Sequence, residues 1–183
     1  MSDRSLRTVR PSAIMSNINE ARAVRYLLDA VIDKSIIESA INKELYPIVI
    51  FHSQQICEKS TKACLSLLGV LVADEHLYIN FLRNMVIPNS KALKSDFLSL
   101  VSDLNTLEAS YITSRYGVGR SGDIHYKKYD KNNVIALSRS SNKYLETCFV
   151  FIENRTGKKL PRDMGLLDEF FVENYSDHIR EFQ

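Results

Sequence analysis

Phe51-His52-Ser53-Gln54-Gln55-Ile56-Cys57-Glu58-Lys59-Ser60-Thr61-Lys62 sits in a long stretch that has no glycine and a single proline, Pro47. That composition predicts a helix. At about 100° per residue, Gln55, Glu58, Lys59 and Lys62 share a sector roughly 100° wide, and Ile48 and Phe51 extend it upstream. Val49, Ile56, Ala63, Cys64, Leu67 and Leu68 fall on the other side. Charged residues three and four apart on a helix ordinarily form a solvated, mildly stabilising face. Here the charges adjoin Phe51 and Ile48, which suggests a face that meets more than water.

Working outward, nearly every signal is helical. Ile18, Ala21, Val24, Leu27, Leu28, Val31 and Ile32 recur at helical spacing. Asn17 with Glu20 predicts a capping box at the start of that helix, and Ser35 with Glu38 predicts a second one opening a new segment. That segment runs to about Val72. Pro47 either kinks it or stands in the first turn of a helix over roughly 46–72. Asp74 is the expected cap of a short helix to about Met85. Pro88-Asn89-Ser90 reads as a break, after which a long helix runs from Ser90 to about Ser114 on Leu93, Phe97, Leu100, Val101, Leu104 and Leu107. Residues 115–130 read as a basic loop, with Gly117, Gly119 and Gly122 among Arg115, Arg120, Lys127 and Lys128. Asp130 or Asn132 caps a further helix to about Asn154, ended by Gly157. A last short helix is expected over 166–175. The fold class is therefore all-α, an antiparallel bundle of four to five main helices. The expected organisation is a flexible basic tail over 1–16, the bundle over 17–156, and a C-terminal extension with a short helix over 157–183.

Bulk properties narrow the function classes. The chain has 183 residues, 45% of them hydrophobic and 25% charged, with a net charge of +2. One domain with a sizeable core fits that length. The charge is too mild to argue nucleic-acid binding without a local patch. Cys57, Cys64 and Cys148 have no metal-ligand spacing. On one helix Cys57 and Cys64 lie about 10 Å apart, too far for a disulfide. They read as core residues in a reducing compartment. No apolar run approaches the ~18 residues of a membrane span, and Arg4, Arg7 and Arg10 precede no signal-type segment. The expectation is a cytoplasmic protein with no membrane contact, metal or cofactor.

The pattern Phe51-x-x-Gln54-Gln55-x-x-Glu58-Lys59-x-x-Lys62-Ala63 resembles the signature helix of HEPN domains (higher eukaryotes and prokaryotes nucleotide-binding). Arg115-Tyr116 looks like that family's Arg-Tyr-Pro segment, with Gly117 where proline is usual. Tyr129-Asp130-Lys131 followed by a helix also fits. The similarity spans roughly 38–155. It implies a helical bundle, a homodimer, and work on nucleotides or RNA. Some members are metal-independent ribonuclease toxins that use an Arg-x4–6-His motif and pair with a nucleotidyltransferase antitoxin. Others lack the motif and are non-catalytic nucleotide- or protein-binding modules.

Arg120-Ser121-Gly122-Asp123-Ile124-His125 has the Arg-x4-His spacing. A histidine titrating near neutrality can take the proton of a ribose 2′-hydroxyl, and an arginine can neutralise the charge that grows on the phosphate oxygens. In a glycine-containing loop, though, that spacing fixes no orientation, so both a catalytic pair and a chance pairing stay open. Lys59, Lys62, Arg115, Tyr116 and Lys127 are the candidate nucleotide- or RNA-binding set, with tyrosines able to stack on bases. Phe51, Gln54, Gln55 and Glu58 are the candidate structural motif. Glu58 is expected to pair with Arg115 in a cleft or dimer interface. His52 reads as a partly exposed structural residue, and His76 has no identifiable partner.

Overall fold

The computed structural model describes residues 11–72, 76–111, 114 and 129–179. Five main helices build it: α1 (Pro11–Asn42), α2 (Tyr46–Leu67), α3 (Lys94–Ala109), α4 (Lys131–Thr156) and α5 (Met164–Ile179). An irregular helical connector, Ile79–Asn89, joins α2 to α3. The architecture is an all-α bundle, with no strand among the described residues.

Helix α1 is one continuous helix rather than the two segments expected from Asn17 and Ser35. It is already helical at Pro11, the first of the described residues and well ahead of Asn17. Ser35 does not cap. Its hydroxyl donates back to the Ile32 carbonyl at 2.7 Å, a bond compatible with a helix interior. What carries the helix through is packing. Ala23, Leu27, Ala30, Ile37 and Ala40 are all buried against the rest of the bundle.

The helix ends follow turn chemistry. Pro47 occupies the first turn of α2, as one of its two readings held. The α1–α2 turn places Glu44 at φ +55°, with Leu45 N–H bonded to Ala40 O and Glu44 N–H to Ile41 O. Those are the two bonds of a Schellman motif. The same pair closes α2, from Val70 N–H to Leu65 O and Gly69 N–H to Ser66 O, with Gly69 at φ +76°. Helix α2 therefore stops at Leu67 and does not reach Val72. Asp130 accepts the Asn133 N–H at 2.8 Å and caps α4, and Gly157 at φ +71° ends it.

Two expected starts differ. Helix α3 begins at Lys94 rather than Ser90, because Lys91 takes a left-handed φ of +46° and interrupts the helix there. It closes at Ala109, with a single further turn in which Ser114 N–H bonds Ser110 O. The Asp74 cap lies outside the described residues. Glu108 of α3 accepts the N–H groups of Tyr78 and Ile79 and so caps the connector from a distance.

Chain directions alternate. Asp33 meets both His52 and Lys59 across α1–α2. Ser140 meets Asp103, and Phe97 meets Tyr144 and Phe151, across α3–α4. Helices α2 and α4 run the same way through the centre, with Glu44 near Lys131 and Thr61 bonded to Tyr144 at 2.7 Å. Cys57, Cys64 and Cys148 are buried there as free thiols. Burial pushes the Cys57 and Cys148 thiols up, which makes them poor nucleophiles. Helix α5 packs back on α1 through Leu167, Phe171 and Tyr175. No helix among the described residues is long and apolar enough to cross a membrane.

Candidate functional site

The polar residues of α2 point inward more than outward. Gln54 is fully buried, Glu58 is 5% exposed and Lys62 9%. A buried carboxylate needs its oxygens satisfied, and Glu58 meets that need with four neighbours. Its Oε2 accepts from Gln54 Nε2 at 3.1 Å and Gln55 Nε2 at 3.4 Å. Its Oε1 accepts from Lys62 Nζ at 3.0 Å and lies 3.3 Å from His76 Nδ1. Gln55 also donates to Gln54 Oε1 at 2.6 Å. The i, i+4 spacing of Gln54, Glu58 and Lys62 puts these groups on successive turns of one helix face.

His76 extends that network to the surface. Its side chain is about half exposed, and its ring stacks on Tyr111 at 5.1 Å between centroids and 22° between planes. Tyr111 stands four residues before Arg115 in the chain. The contact between Glu58 and His76 joins α2 to the segment just before the connector, a pairing that no local spacing announces.

A second polar group lies beside the first. Asp33 is buried on α1. Its Oδ1 is 2.7 Å from His52 Nδ1 and its Oδ2 is 2.6 Å from Lys59 Nζ, both on α2. The Phe51 ring meets His52 edge-on at 5.1 Å. Burial raises the pKa of neighbouring Asp29, against the opposing pull of Arg25 and Lys59, while Asp33 adds to the rise. His52 is thus tied to a carboxylate, a partner its sequence context did not supply.

The predicted residues sort as follows. Phe51, Gln54, Gln55, Glu58, Lys59 and Lys62 all lie on α2. Gln54, Gln55, Glu58 and Lys62 meet in one network, while Lys59 belongs to the Asp33 group. Arg115, Tyr116, Arg120, His125 and Lys127, together with the expected Glu58–Arg115 pair, lie outside the described residues. Asp33 and His76 were missed. The signal available for Asp33 was slight: a carboxylate that follows the apolar Ala30-Val31-Ile32, one turn after Asp29. For His76 there was none. Among the described residues no three of His, Cys, Asp and Glu come together as a metal site.

Comparison with known proteins gives two findings. The HEPN domain family matches residues 23–150, reaching further into α1 than the signature motifs themselves. A protein of Methanocaldococcus jannaschii named "Putative toxin MJ1304" is 24% identical over 148 residues, which cover 79% of this chain and 97% of that protein. No solved structure matches the chain.

Proposed function

Since this chain belongs to the HEPN domain family, we propose that it is a toxin-like HEPN protein that acts on RNA or nucleotides as a homodimer in the cytoplasm. The finer reading is a metal-independent endoribonuclease of a toxin–antitoxin or defence system, with a nucleotidyltransferase as the antitoxin partner. The toxin description of the M. jannaschii relative supports this reading. The observation that carries it is the buried Glu58 network. Four polar groups converge on one buried carboxylate, and the network surfaces at His76 and Tyr111.

The chemistry assigned to Arg120 and His125 is transesterification. His125 takes the proton of a 2′-hydroxyl, and the 2′-oxygen attacks the adjacent phosphorus. The 5′-oxygen leaves and picks up a proton, so the products are a 2′,3′-cyclic phosphate and a 5′-hydroxyl end. Arg120 balances the charge on the non-bridging oxygens. A 2′-oxygen nucleophile makes a metal unnecessary. Lys59, Lys62, Arg115 and Lys127 hold the strand's phosphates, Tyr111 and Tyr116 offer faces for stacking, and Glu58 fixes Lys62 and His76.

The test is incubation of the full chain with a panel of structured and single-stranded RNAs in EDTA. Wild type is expected to leave 2′,3′-cyclic phosphate ends, and His125→Ala to abolish cleavage with an unchanged melting temperature. Binding of RNA or nucleotides without cleavage by wild type would leave the non-catalytic module in place of the ribonuclease. The absence of both cleavage and any thermal shift with nucleotides or RNA would remove the RNA reading altogether.

A further inference from the structure

Asp33, His52 and Lys59 repeat the constellation built around Glu58. In each, a carboxylate only 8% or 6% exposed holds one histidine through Nδ1 and one lysine through Nζ. Lys59 and Lys62 sit three residues apart on α2, about 5–6 Å between Cβ atoms, so the two groups are neighbours on one helix. The histidines and Lys59 reach solvent while the carboxylates do not: His52 is 17% exposed and Lys59 27%.

Cohesion alone does not account for the Asp33 group. Helices α1 and α2 already share an apolar contact through Leu27, Ala30, Ile37, Val49 and Ile56. Apolar residues in place of a buried ion pair are often neutral or stabilising. What the triad does achieve is orientation. A carboxylate only accepts, so His52 Nδ1 carries the hydrogen of that contact, and Nε2 is the ring's remaining polar atom. Lys59 gives one hydrogen to Asp33 Oδ2 and retains two more donors. Beyond Asp33 the group therefore offers one oriented ring nitrogen beside one ammonium. That pair matches a ribonucleotide: a 2′-hydroxyl, which both donates and accepts, for the ring nitrogen, and a phosphate oxygen for the ammonium.

Building on the RNA reading above, we infer that Asp33, His52 and Lys59 form a ribose-reading subsite. Lys59 binds a backbone phosphate of an RNA strand, His52 Nε2 hydrogen-bonds a 2′-hydroxyl, and Asp33 positions both. The 2′-hydroxyl is the group that separates RNA from DNA at a given site, so the subsite confers a preference for RNA.

The test uses the His125→Ala chain, so that RNA stays intact, and compares affinity for an RNA and a DNA of the same sequence by fluorescence anisotropy. Adding His52→Asn keeps a donor where Nδ1 bonds Asp33 but removes Nε2. The RNA-over-DNA affinity ratio is expected to fall about fivefold, the worth of one hydrogen bond, with the melting temperature moving less than about 2 °C. A second readout needs no change at this site. The imidazole 15N resonance of His52 Nε2 should shift on adding RNA and stay put on adding DNA. An unchanged ratio with an unmoved resonance would reduce the triad to a tie between α1 and α2, leaving the RNA reading intact. Failure of the chain to bind either nucleic acid would overturn both.

Discussion

Replacing Glu153 with glutamine removes one charge from the clasp that holds the end of α4 to the segment leading into α5. The Glu153 side chain is buried, and Arg162 meets it with both arms, Nη1 on Oε1 at 2.7 Å and Nη2 on Oε2 at 3.3 Å. Leu160 N–H adds a bond to Oε1 at 2.9 Å. The Arg162 hydrogen bonds, helped by that backbone N–H and by Lys159, outweigh the desolvation penalty and hold the carboxyl at about 2 against an ordinary 4.5. At about 1.4 kcal/mol per pH unit, the displacement corresponds to about 3 kcal/mol of stability. The folded-state pKa is depressed, so this stability is fully present above pH 4.5 and is lost as the pH falls toward 2. Glutamine keeps one acceptor for Arg162, so Glu153→Gln is expected to cost about 2–3 kcal/mol at pH 7. For a domain of this size that lowers the melting temperature by about 5–10 °C. Calorimetry of wild type and variant between pH 7 and pH 2 reads both quantities, and the two curves should converge as the pH falls through 4.5. A difference under about 1 kcal/mol at pH 7, or one that persists undiminished near pH 2, would refute the account.

Two further outcomes follow from the helix ends and the α2 network. Glu44 takes a left-handed φ of +55° in a Schellman turn where glycine is the ordinary residue. Glu44→Gly is expected to raise stability by about 0.5–1 kcal/mol in urea titrations. A loss would mean that the 3.3 Å pair with Lys131 outweighs the backbone strain. Glu58→Ala withdraws a carboxylate shared by Gln54, Gln55, Lys62 and His76. It should cost about 3 kcal/mol and reduce dimer formation or RNA binding, read by light scattering and anisotropy. Full retention of dimer and ligand would leave Glu58 with a stabilising role alone.

Where local chemistry decides, the sequence was readable. Pro47, Asp130 and Gly157 each act at a helix end through their own backbone or side chain, and the Gln54-Gln55-Glu58-Lys62 spacing identified both the helix and the family. Where one local pattern serves two structures, it misled. Asn17-x-x-Glu20 and Ser35-x-x-Glu38 satisfy a capping box, yet both lie within α1, because its buried stripe holds the helix together and Ser35 can bond backwards. Lys91 carries no mark in the sequence of its left-handed backbone. The Asp33 and His76 contacts join separate parts of the chain, Asp33 on α1 to α2 and Glu58 on α2 to the segment before the connector. Single-sequence spacing has no means of relating residue 33 to 52, or 58 to 76.

The return of α5 onto α1 bears on how the protein is made. Lys158 reaches Glu20 at 2.7 Å, and Tyr175 reaches the same carboxylate at 3.3 Å. During synthesis the hairpin of α1 and α2 can close early, since its partners are near in sequence. The seat on α1 for Leu167, Phe171 and Tyr175 stays uncovered until α5 has left the ribosome, because closing so long a loop comes last. Chains halted before α5 thus leave an apolar strip of α1 open to water, and completion of α5 covers it.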